Sequence, residues 1–385
     1  MSEWKKVRLK DCCHSISDGD HLPPPKSDSG VPFVTIANID ATNHIDFGNT
    51  MFVPYEYYNN LKDIRKAKFN DILYSVVGSF GKPVLIKENK PFAFQRHIAI
   101  LRPNKLIVDS RFLYYVMLSR DFYMQADTVA IGAAQRMISL TALRNMEVEL
   151  PSMEIQHRIA NILSRYDSLI ENYQKQIKLL EEAAQRLYKE WFVDLHFPGH
   201  ENTKIVDGVP EGWEKKKVGE VIVKVPRSKQ IPTKDYQKEG AIPIIDQSRD
   251  YIAGYTDDIE SRVESNEPYI VFGDHTRILK YVPFPFAKGA DGTQLIMSND
   301  LDLMPQCLLF TSLVSVDLSN YSYARHFKYL KEEEILVPTA SIANAFSKHV
   351  AKWYAKIQLN REQLRLLTEA RDRLLPKLMS GEIEI

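Results

Sequence analysis

The chain contains the same amphipathic segment twice. IKLLEEAAQRLYKEWF begins at Ile177 and LRLLTEARDRLLPKLM begins at Leu364, so the second copy starts 364 − 177 = 187 positions after the first. Six of the sixteen aligned positions are identical. A long duplicated segment constrains the chain to two related halves, because each copy must bury a similar apolar face.

Apolar residues recur every three or four positions from Ile155 to Trp191. This spacing is typical of a helix that packs along one narrow stripe against a single partner helix. Adding 187 gives a second stripe from Ile342 to Leu378, in which polar residues such as Asn360 interrupt the pattern. The sequence therefore predicts two long helices that pack against each other.

Each helix follows a block with weaker internal similarity. GVPFVTI at Gly30 matches GAIPIID at Gly240, and both blocks contain short β-rich runs, such as DILYSVVG at Asp71 and PYIVFGD at Pro268. Short helical runs such as RFLYYVMLS lie between them, which indicates a mixed α/β fold. We therefore predict an α/β domain over 1–150, a long helix over 151–195, a second α/β domain over 196–337 and a long helix over 338–385. Pro376 is expected to bend the second helix near its end.

Composition limits the class of protein. There is no apolar run long enough to span a membrane and no apolar signal core at the N-terminus, so a cytoplasmic protein is expected. The three cysteines have no metal-binding spacing and are expected to be reduced thiols. The net charge is zero, and residues 193–337 carry 17 basic and 23 acidic side chains. Any site for a polyanion must therefore be a local patch.

Motifs of catalysis are scarce. GSFGKP at Gly78 lacks the spacing of a phosphate-binding loop, and the histidines form no ligand cluster. A nucleophile pair of Cys12 and His14 is the weakest of the alternatives. Several polar loops are instead suited to DNA, among them the basic runs KDIRKAK at Lys62 and KVPRSKQIPTK at Lys224. The sequence favours a binding protein over an enzyme.

Several longer stretches together are typical of one protein family. They are GAAQRMISLTALRNMEVELPSMEIQHRIANIL at Gly132, WFVDLHFPGHE at Trp191, VPEGWEKKKVGE at Val209, IPIIDQSRDYIAGY at Ile242 and FGDHTRILKYVPFPFAKGADGT at Phe272. These stretches resemble the specificity subunits of type I restriction and modification systems. The resemblance covers essentially the whole chain. It implies two target recognition domains, each of which reads one half of a bipartite double-stranded DNA target. The long helices would form an antiparallel coiled coil that separates these domains.

The resemblance also implies partners. Two methyltransferase subunits, which bind S-adenosylmethionine and methylate adenine at N6, would dock on the helices, and a restriction subunit with motor and nuclease activity would complete the complex. The chain itself would be non-catalytic and would hold no cofactor. The residues expected to contact partners are Gln156, Ile159, Trp191 and Phe192. Ala343 stands where the repeat would place a second glutamine, which departs from the family's pattern.

Loop position and residue type give the candidate DNA-binding residues. In the first block they are Lys82, Arg96, Gln135 and Arg136, and in the second they are Gln247, His275, Arg277 and Gln294. Gln and Arg can form paired hydrogen bonds with adenine and guanine edges. The alternative from another class is a coiled-coil scaffold whose two domains bind proteins, which the acidic balance of the second block favours.

Overall fold

The computed structural model describes residues 4–40, 42–133, 135–289, 291–321 and 325–383. The chain divides into two compact units. Unit 1 comprises Met1–Ile170 with Leu366–Ile385, and unit 2 comprises Glu171–Arg365. Each long helix contributes one part of its length to each unit.

Unit 1 is built on short strands and helices. The strands are β1 (Lys5–Arg8), β2 (Cys13–Asp18), β3 (Val31–Val34), β4 (Met51–Val53), β5 (Ile72–Ser75), β6 (Pro83–Leu85), β7 (Ala93–Phe94), β8 (Ile98–Pro103) and β9 (Glu147–Leu150). The helices are α1 (Leu9–Cys12), α2 (Tyr55–Asn60), α3 (Ser110–Leu118), α4 (Arg120–Val129) and α5 (Leu140–Asn145), followed by the first long helix, α6 (Met153–Tyr188).

The strands of unit 1 form one larger antiparallel sheet, in the order β2-β8-β5-β6. A smaller sheet has the order β4-β3-β7, in which β3 and β7 are parallel. Strands β1 and β9 form a separate antiparallel pair. The whole of β5 is buried, which explains why its sequence, ILYS, lacks the alternation of a half-exposed strand.

Unit 2 repeats these elements. Its strands are β10 (Ile205–Val206), β11 (Val209–Pro210), β12 (Glu214–Lys217), β13 (Ile222–Val223), β14 (Ile242–Ile245), β15 (Gly254–Thr256), β16 (Arg262–Val263), β17 (Tyr269–Gly273), β18 (Leu279–Val282), β19 (Phe286–Lys288), β20 (Thr293–Ser298) and β21 (Glu334–Val337). The helices are α7 (Val218–Val221), α8 (Gln306–Val314) and α9 (Phe327–Glu332), followed by the second long helix, α10 (Ala340–Met379).

The sheets of unit 2 have the same plan as those of unit 1. The order β13-β20-β17-β18 is antiparallel, β15-β14-β19-β16 is mixed, and β12 pairs with β21 just as β1 pairs with β9. The mixed α/β content and the two long helices that the sequence predicts are confirmed. RFLYYVMLS is helical as predicted, within α3.

In unit 1 the start of α6 lies against the end of α10. Ile159 and Leu163 belong to the same buried cluster as Leu378. Farther along α6, Asp167 accepts a hydrogen bond from Arg371 at 3.0 Å. Earlier residues of α6 therefore meet later residues of α10, so this pair of segments is antiparallel.

In unit 2 the remaining segments of the two helices are also antiparallel. The Asn360 side-chain amide donates to Gln176 at 3.1 Å, and the ring of Tyr188 lies edge-on to that of Phe346. Two polar residues that interrupt the second apolar stripe are thus paired across the helices, Asn360 with Gln176 in unit 2 and Arg371 with Asp167 in unit 1.

Asn360 is fully buried, and its side-chain oxygen has no hydrogen-bond partner among the described residues. A buried polar residue in such a seam specifies register at a cost in stability. We expect Asn360→Leu to stabilise unit 2 by about 1 kcal/mol, because the half-exposed Gln176 can bond water instead. Thermal unfolding should then shift up by roughly 2–4 °C. The matched Asn360→Asp variant should shift it down, and a fall for the leucine variant would contradict this account.

The two long helices end differently. The regular α-helix of α6 ends at Tyr188 and is followed by a π-helical turn over Lys189–Val193. The other helix, α10, continues through Pro376 to Met379, so the proline does not end it. Position 376 is the repeat equivalent of position 189, and the two copies therefore differ in structure where their sequences diverge.

Within the described part of the chain, no helix is both long enough and apolar enough to cross a membrane.

Candidate nucleic-acid interface

Three loops of unit 1 meet beside the larger sheet. They are the loops between β5 and β6, between β7 and β8, and between α4 and α5. Val76 donates its backbone N–H to His97 at 2.9 Å and accepts from Ile138 at 2.8 Å, and Gly78 donates to Arg136 at 2.9 Å. These backbone bonds hold the three loops side by side.

These loops contain all four residues predicted for unit 1. Lys82 lies in the first loop, Arg96 in the second, and Gln135 and Arg136 in the third. Arg96 and Gln135 are exposed, and a Cβ atom built on Gly78 would lie 3.8 Å from the Gln135 side-chain nitrogen. The structure therefore brings together residues that lie far apart in sequence.

Arg136 is less free than the other candidates. Its guanidinium forms an ion pair with Asp127, bonds the backbone oxygen of the same residue, and lies 5.4 Å from the centre of the Phe80 ring. The Phe80 ring stacks on that of Tyr123, with 6.0 Å between centroids and 11° between planes. Arg136 is therefore better placed to position its loop than to contact a base.

Apolar side chains at this interface were missed by the sequence analysis. Tyr123 is 44% exposed, Ile131 62% and Met137 41%. Ile131 and Met137 are linked by two backbone hydrogen bonds across the α4–α5 loop. The sequence could have indicated these side chains. Ile131 and Met137 flank the polar GAAQR turn, and neither belongs to an apolar stripe of the long helices.

A fixed carboxylate lies beside Arg96. Asp20, whose carbonyl accepts from the Arg96 N–H at 3.2 Å, accepts through its carboxylate from the Tyr57 hydroxyl at 2.8 Å and from Arg65 at 3.0 Å. Burial opposes ionisation of Asp20, but the bonds from Tyr57, from backbone amides and from Arg65 outweigh it and lower the pKa of this carboxyl group. Asp20 therefore keeps its negative charge, which neutralises the positive charge of Arg65.

Gln247 connects three loops in unit 2. Its side-chain nitrogen donates to the Asp291 carbonyl at 2.8 Å, and its side-chain oxygen accepts from the His275 N–H at 3.1 Å. The Thr276 hydroxyl donates to the Gln247 carbonyl at 2.7 Å. Both ends of the Gln247 amide thus bond inside the unit, so this residue positions the loops, and its predicted contact with a base stays a prediction.

His275 and Arg277 are exposed in the loop between β17 and β18. Arg277 has a backbone φ of 62°, which turns the chain sharply, and its guanidinium donates to the Tyr321 carbonyl at 3.1 Å. The structure thus brings together Gln247, His275 and Arg277. His275 and Arg277 lie between β17 and β18, the equivalents of β5 and β6 in unit 1, whereas Gln247 follows β14.

Gln294 does not belong to this cluster of loops. It lies in β20 opposite Phe272, not in a turn as the sequence analysis assumed, and it lines a cavity of about 530 Å³ with Lys224, Arg227 and Lys288. Strand β20 is central to the larger sheet, which fixes the direction of this side chain. Gln294 therefore marks a second polar surface of unit 2.

The first two predicted partner residues are buried inside unit 1. Gln156 is 1% exposed, accepts from the Asp109 N–H at 3.0 Å, and donates to the Pro151 carbonyl at 3.0 Å and to the Ile107 carbonyl at 3.3 Å. Ile159 is also 1% exposed and belongs to the core. Gln156 therefore anchors the loop before α3 on the first long helix, and neither side chain reaches the surface.

The other two predicted partner residues, Trp191 and Phe192, belong to the core of unit 2. Their rings contact the ring of Phe346 at centroid distances of 5.9 and 5.3 Å, and Phe192 also stacks on Tyr188 at 5.0 Å. They lie in the π-helical turn, which directs both rings inward. A partner would have to contact other residues of the long helices.

The two residues of the alternative nucleophile pair, Cys12 and His14, differ in burial. Cys12 is fully buried and donates to the Leu9 carbonyl, whereas His14 is exposed. Across the ranges that the structure describes, no three His, Cys, Asp or Glu side chains lie close enough to hold a metal ion.

The sequence of the chain is similar to those of known proteins. Residues 1–182 match the family model described as the type I restriction modification DNA specificity domain. Over 304 residues the chain is 29% identical to the type I restriction enzyme MjaIX specificity subunit of Methanocaldococcus jannaschii. The aligned region covers 72% of this chain and 70% of that protein. It is 25% identical to the putative MjaX specificity subunit of the same organism, across all of this chain and 94% of that protein.

A solved structure has the same fold. The type I restriction-modification S subunit from M. genitalium superposes with a TM-score of 0.64 at 18% sequence identity, covering 98% of this chain and 96% of that one. The similarity therefore extends over the whole length of both chains.

Proposed function

We propose that this chain supplies the DNA sequence specificity of a type I restriction-modification complex, which its similarity to specificity subunits of such systems supports. Unit 1 reads one half of a bipartite double-stranded target and unit 2 reads the other. The chain is a non-catalytic subunit, and the methylation and cleavage activities belong to its partners.

One observation carries this proposal. Both units expose polar side chains in loops beside the larger sheet, Arg96 and Gln135 in the β7–β8 and α4–α5 loops of unit 1, and His275 and Arg277 in the β17–β18 loop of unit 2. Such side chains can donate to or accept from base edges in the major groove. Since the two sets of residues differ, the two units are suited to different base sequences.

Unit 1 also offers apolar side chains to an opened duplex. An adenine must leave the base stack to be methylated, and apolar or aromatic wedges stabilise unstacked steps. The exposed Tyr123, Ile131 and Met137 lie beside the polar loops, so they can contact bases there.

The long helices set the spacing of the half-sites and dock two adenine-N6 methyltransferase subunits. Because Gln156, Ile159, Trp191 and Phe192 are buried, the docking surface must use other positions. Large apolar side chains remain uncovered on both helices, namely Leu169, Leu179, Leu359 and Leu366, which are between 44% and 52% exposed. S-adenosylmethionine binds the methyltransferases, and a restriction subunit joins the complex through them.

The proposal is tested by expressing the chain with its methyltransferase in a host that lacks adenine methylation and mapping modified adenines by single-molecule sequencing. We expect a single bipartite motif with a fixed spacer. Loss of the motif when this chain alone is omitted would assign the specificity to it. Methylation that does not depend on this chain would instead favour a protein-binding scaffold.

Spacing can be tested by lengthening both helices. The 36 residues of α6 span about 54 Å, at about 1.5 Å per residue. Four residues inserted at 170/171 and four at 365/366 add about one helical turn, or 6 Å, to each helix. The preferred spacer should lengthen by about two base pairs, since each occupies about 3.4 Å. An unchanged spacer in the methylation map would show that the helices do not set it.

A further inference from the structure

A groove in unit 2 has an excess of positive charge. It is lined by the segment after β13, by the end of β19, by β20 and by α9. Four of its side chains are basic, and among the described residues its lining contains no Asp or Glu. These basic residues are Lys224, Arg227, Lys288 and Lys331.

These four cations have no carboxylate partner at ion-pair distance within the described ranges. Nearby surface lysines differ, since Lys215 pairs with Glu334 at 2.7 Å and Lys229 pairs with Asp258 at 2.7 Å. Residues 193–337 carry more acidic than basic side chains. The groove is therefore a local concentration of free positive charge on an otherwise acidic block, which focuses a polyanion onto it.

The groove also contains polar groups that are partly or fully buried. The Ser228 hydroxyl oxygen, in the lining segment, is buried and has no hydrogen-bond partner among the described residues. Burial lowers the pKa of Lys288, against the opposing charge of Asp291, so an anion in the groove would favour its charged form. Gln294 adds a neutral polar group to the floor.

The corresponding place in unit 1 carries different side chains. The parallel bridge between Gln230 and Lys288 in unit 2 is matched in unit 1 by that between Asp20 and Gln95. Gln95 is therefore the counterpart of Lys288, and Asp20, the counterpart of Gln230, is an acid paired with Arg65. The equivalent of Lys331 at 331 − 187 = 144 is Arg144, which donates to the Ile16 carbonyl. The charge of this place differs between the repeats.

We propose that this groove of unit 2 binds the phosphates of one DNA strand beside the half-site that the unit reads. This inference rests on the proposed function. Contacts with the phosphates of the DNA backbone fix the register of a protein on the duplex but carry no sequence information. Unit 2 would thus supply a larger share of the salt-dependent affinity than unit 1, while both units supply specificity through their loops.

The test uses a variant in which Lys224, Arg227 and Lys331 are all replaced by Gln. Affinity of the full chain, bound to its methyltransferase, is measured between 50 and 200 mM KCl for a target duplex and for an unrelated duplex. Each lost phosphate contact should reduce the slope of log K against log salt by about 0.9, so the slope should fall by about 2.7. Discrimination between the two duplexes should change less than twofold.

The matched control replaces Lys215 and Lys229, which are paired to acids, and should leave the slope unchanged. A variant that discriminates like the wild type and keeps its full slope would overturn the groove proposal alone. Loss of methyltransferase binding by the triple variant would also overturn it, and would assign the groove to a protein contact. If the wild-type complex itself does not distinguish the duplexes, the proposed function is what fails.

Discussion

Phe192→Ala should destabilise the isolated chain by about 3–5 kcal/mol, the usual effect of removing a buried aromatic ring. Phe192 is 4% exposed and contacts the rings of Tyr188, Trp213 and Phe346, with centroids 5.0 to 5.3 Å away. Alanine would leave a cavity where the end of the first long helix meets the start of the second. For a unit of this size the midpoint of thermal unfolding should fall by roughly 10 °C.

The neighbouring residue provides the control. Val193 is 58% exposed, so Val193→Ala should change the stability by less than about 0.5 kcal/mol. Phe192→Leu keeps most of the apolar volume and should have an intermediate effect. If Phe192→Ala unfolded like the wild type but no longer bound the methyltransferase, the residue would contact the partner, as its place in the sequence first indicated.

The comparison of Phe192 with Asn360 shows what an apolar stripe can and cannot predict. The stripes predicted both long helices and the fact that they pack together, because their period depends only on the geometry of a helix. The stripe could not show what covers each residue, and Ile159, Trp191 and Phe192 are covered by this chain itself. The pairing of Asn360 with Gln176 was also inaccessible, since nothing in the sequence fixes which residues of two helices lie opposite each other.

The polar loops also combine features that the sequence could predict with features that it could not. Residue type and turn signals correctly predicted that Arg96, Gln135 and Arg277 lie in exposed loops, because turns are local features. The role of Gln247 was not predictable, because its amide is used by His275 and by a carbonyl 44 positions later in the chain. The basic groove depends on residues from four separate elements, of which the sequence indicated only the KVPRSKQIPTK run and Gln294.

Replacing Arg96 and Gln135 together by alanine should weaken binding of the cognate DNA by at least tenfold, and discrimination should be lost at one half-site only. Each good side-chain contact with a base edge is worth about 1–3 kcal/mol of discrimination. The matching double variant of unit 2, His275→Ala with Arg277→Ala, should relax the other half-site. Binding to duplexes in which one half is scrambled measures both effects.

The control for unit 1 is Lys105→Ala, because this exposed lysine follows the opposite end of strand β8 from Arg96. It should alter neither the affinity nor the preferred sequence. The salt slope also separates the roles, since the loop variants should change discrimination more than slope while the groove variant does the reverse. If either double variant relaxed both half-sites equally, the two units would act as one shared site, and a bipartite target read by separate units would be excluded. Relaxation of one half by each variant would instead identify which half of the DNA each repeat reads.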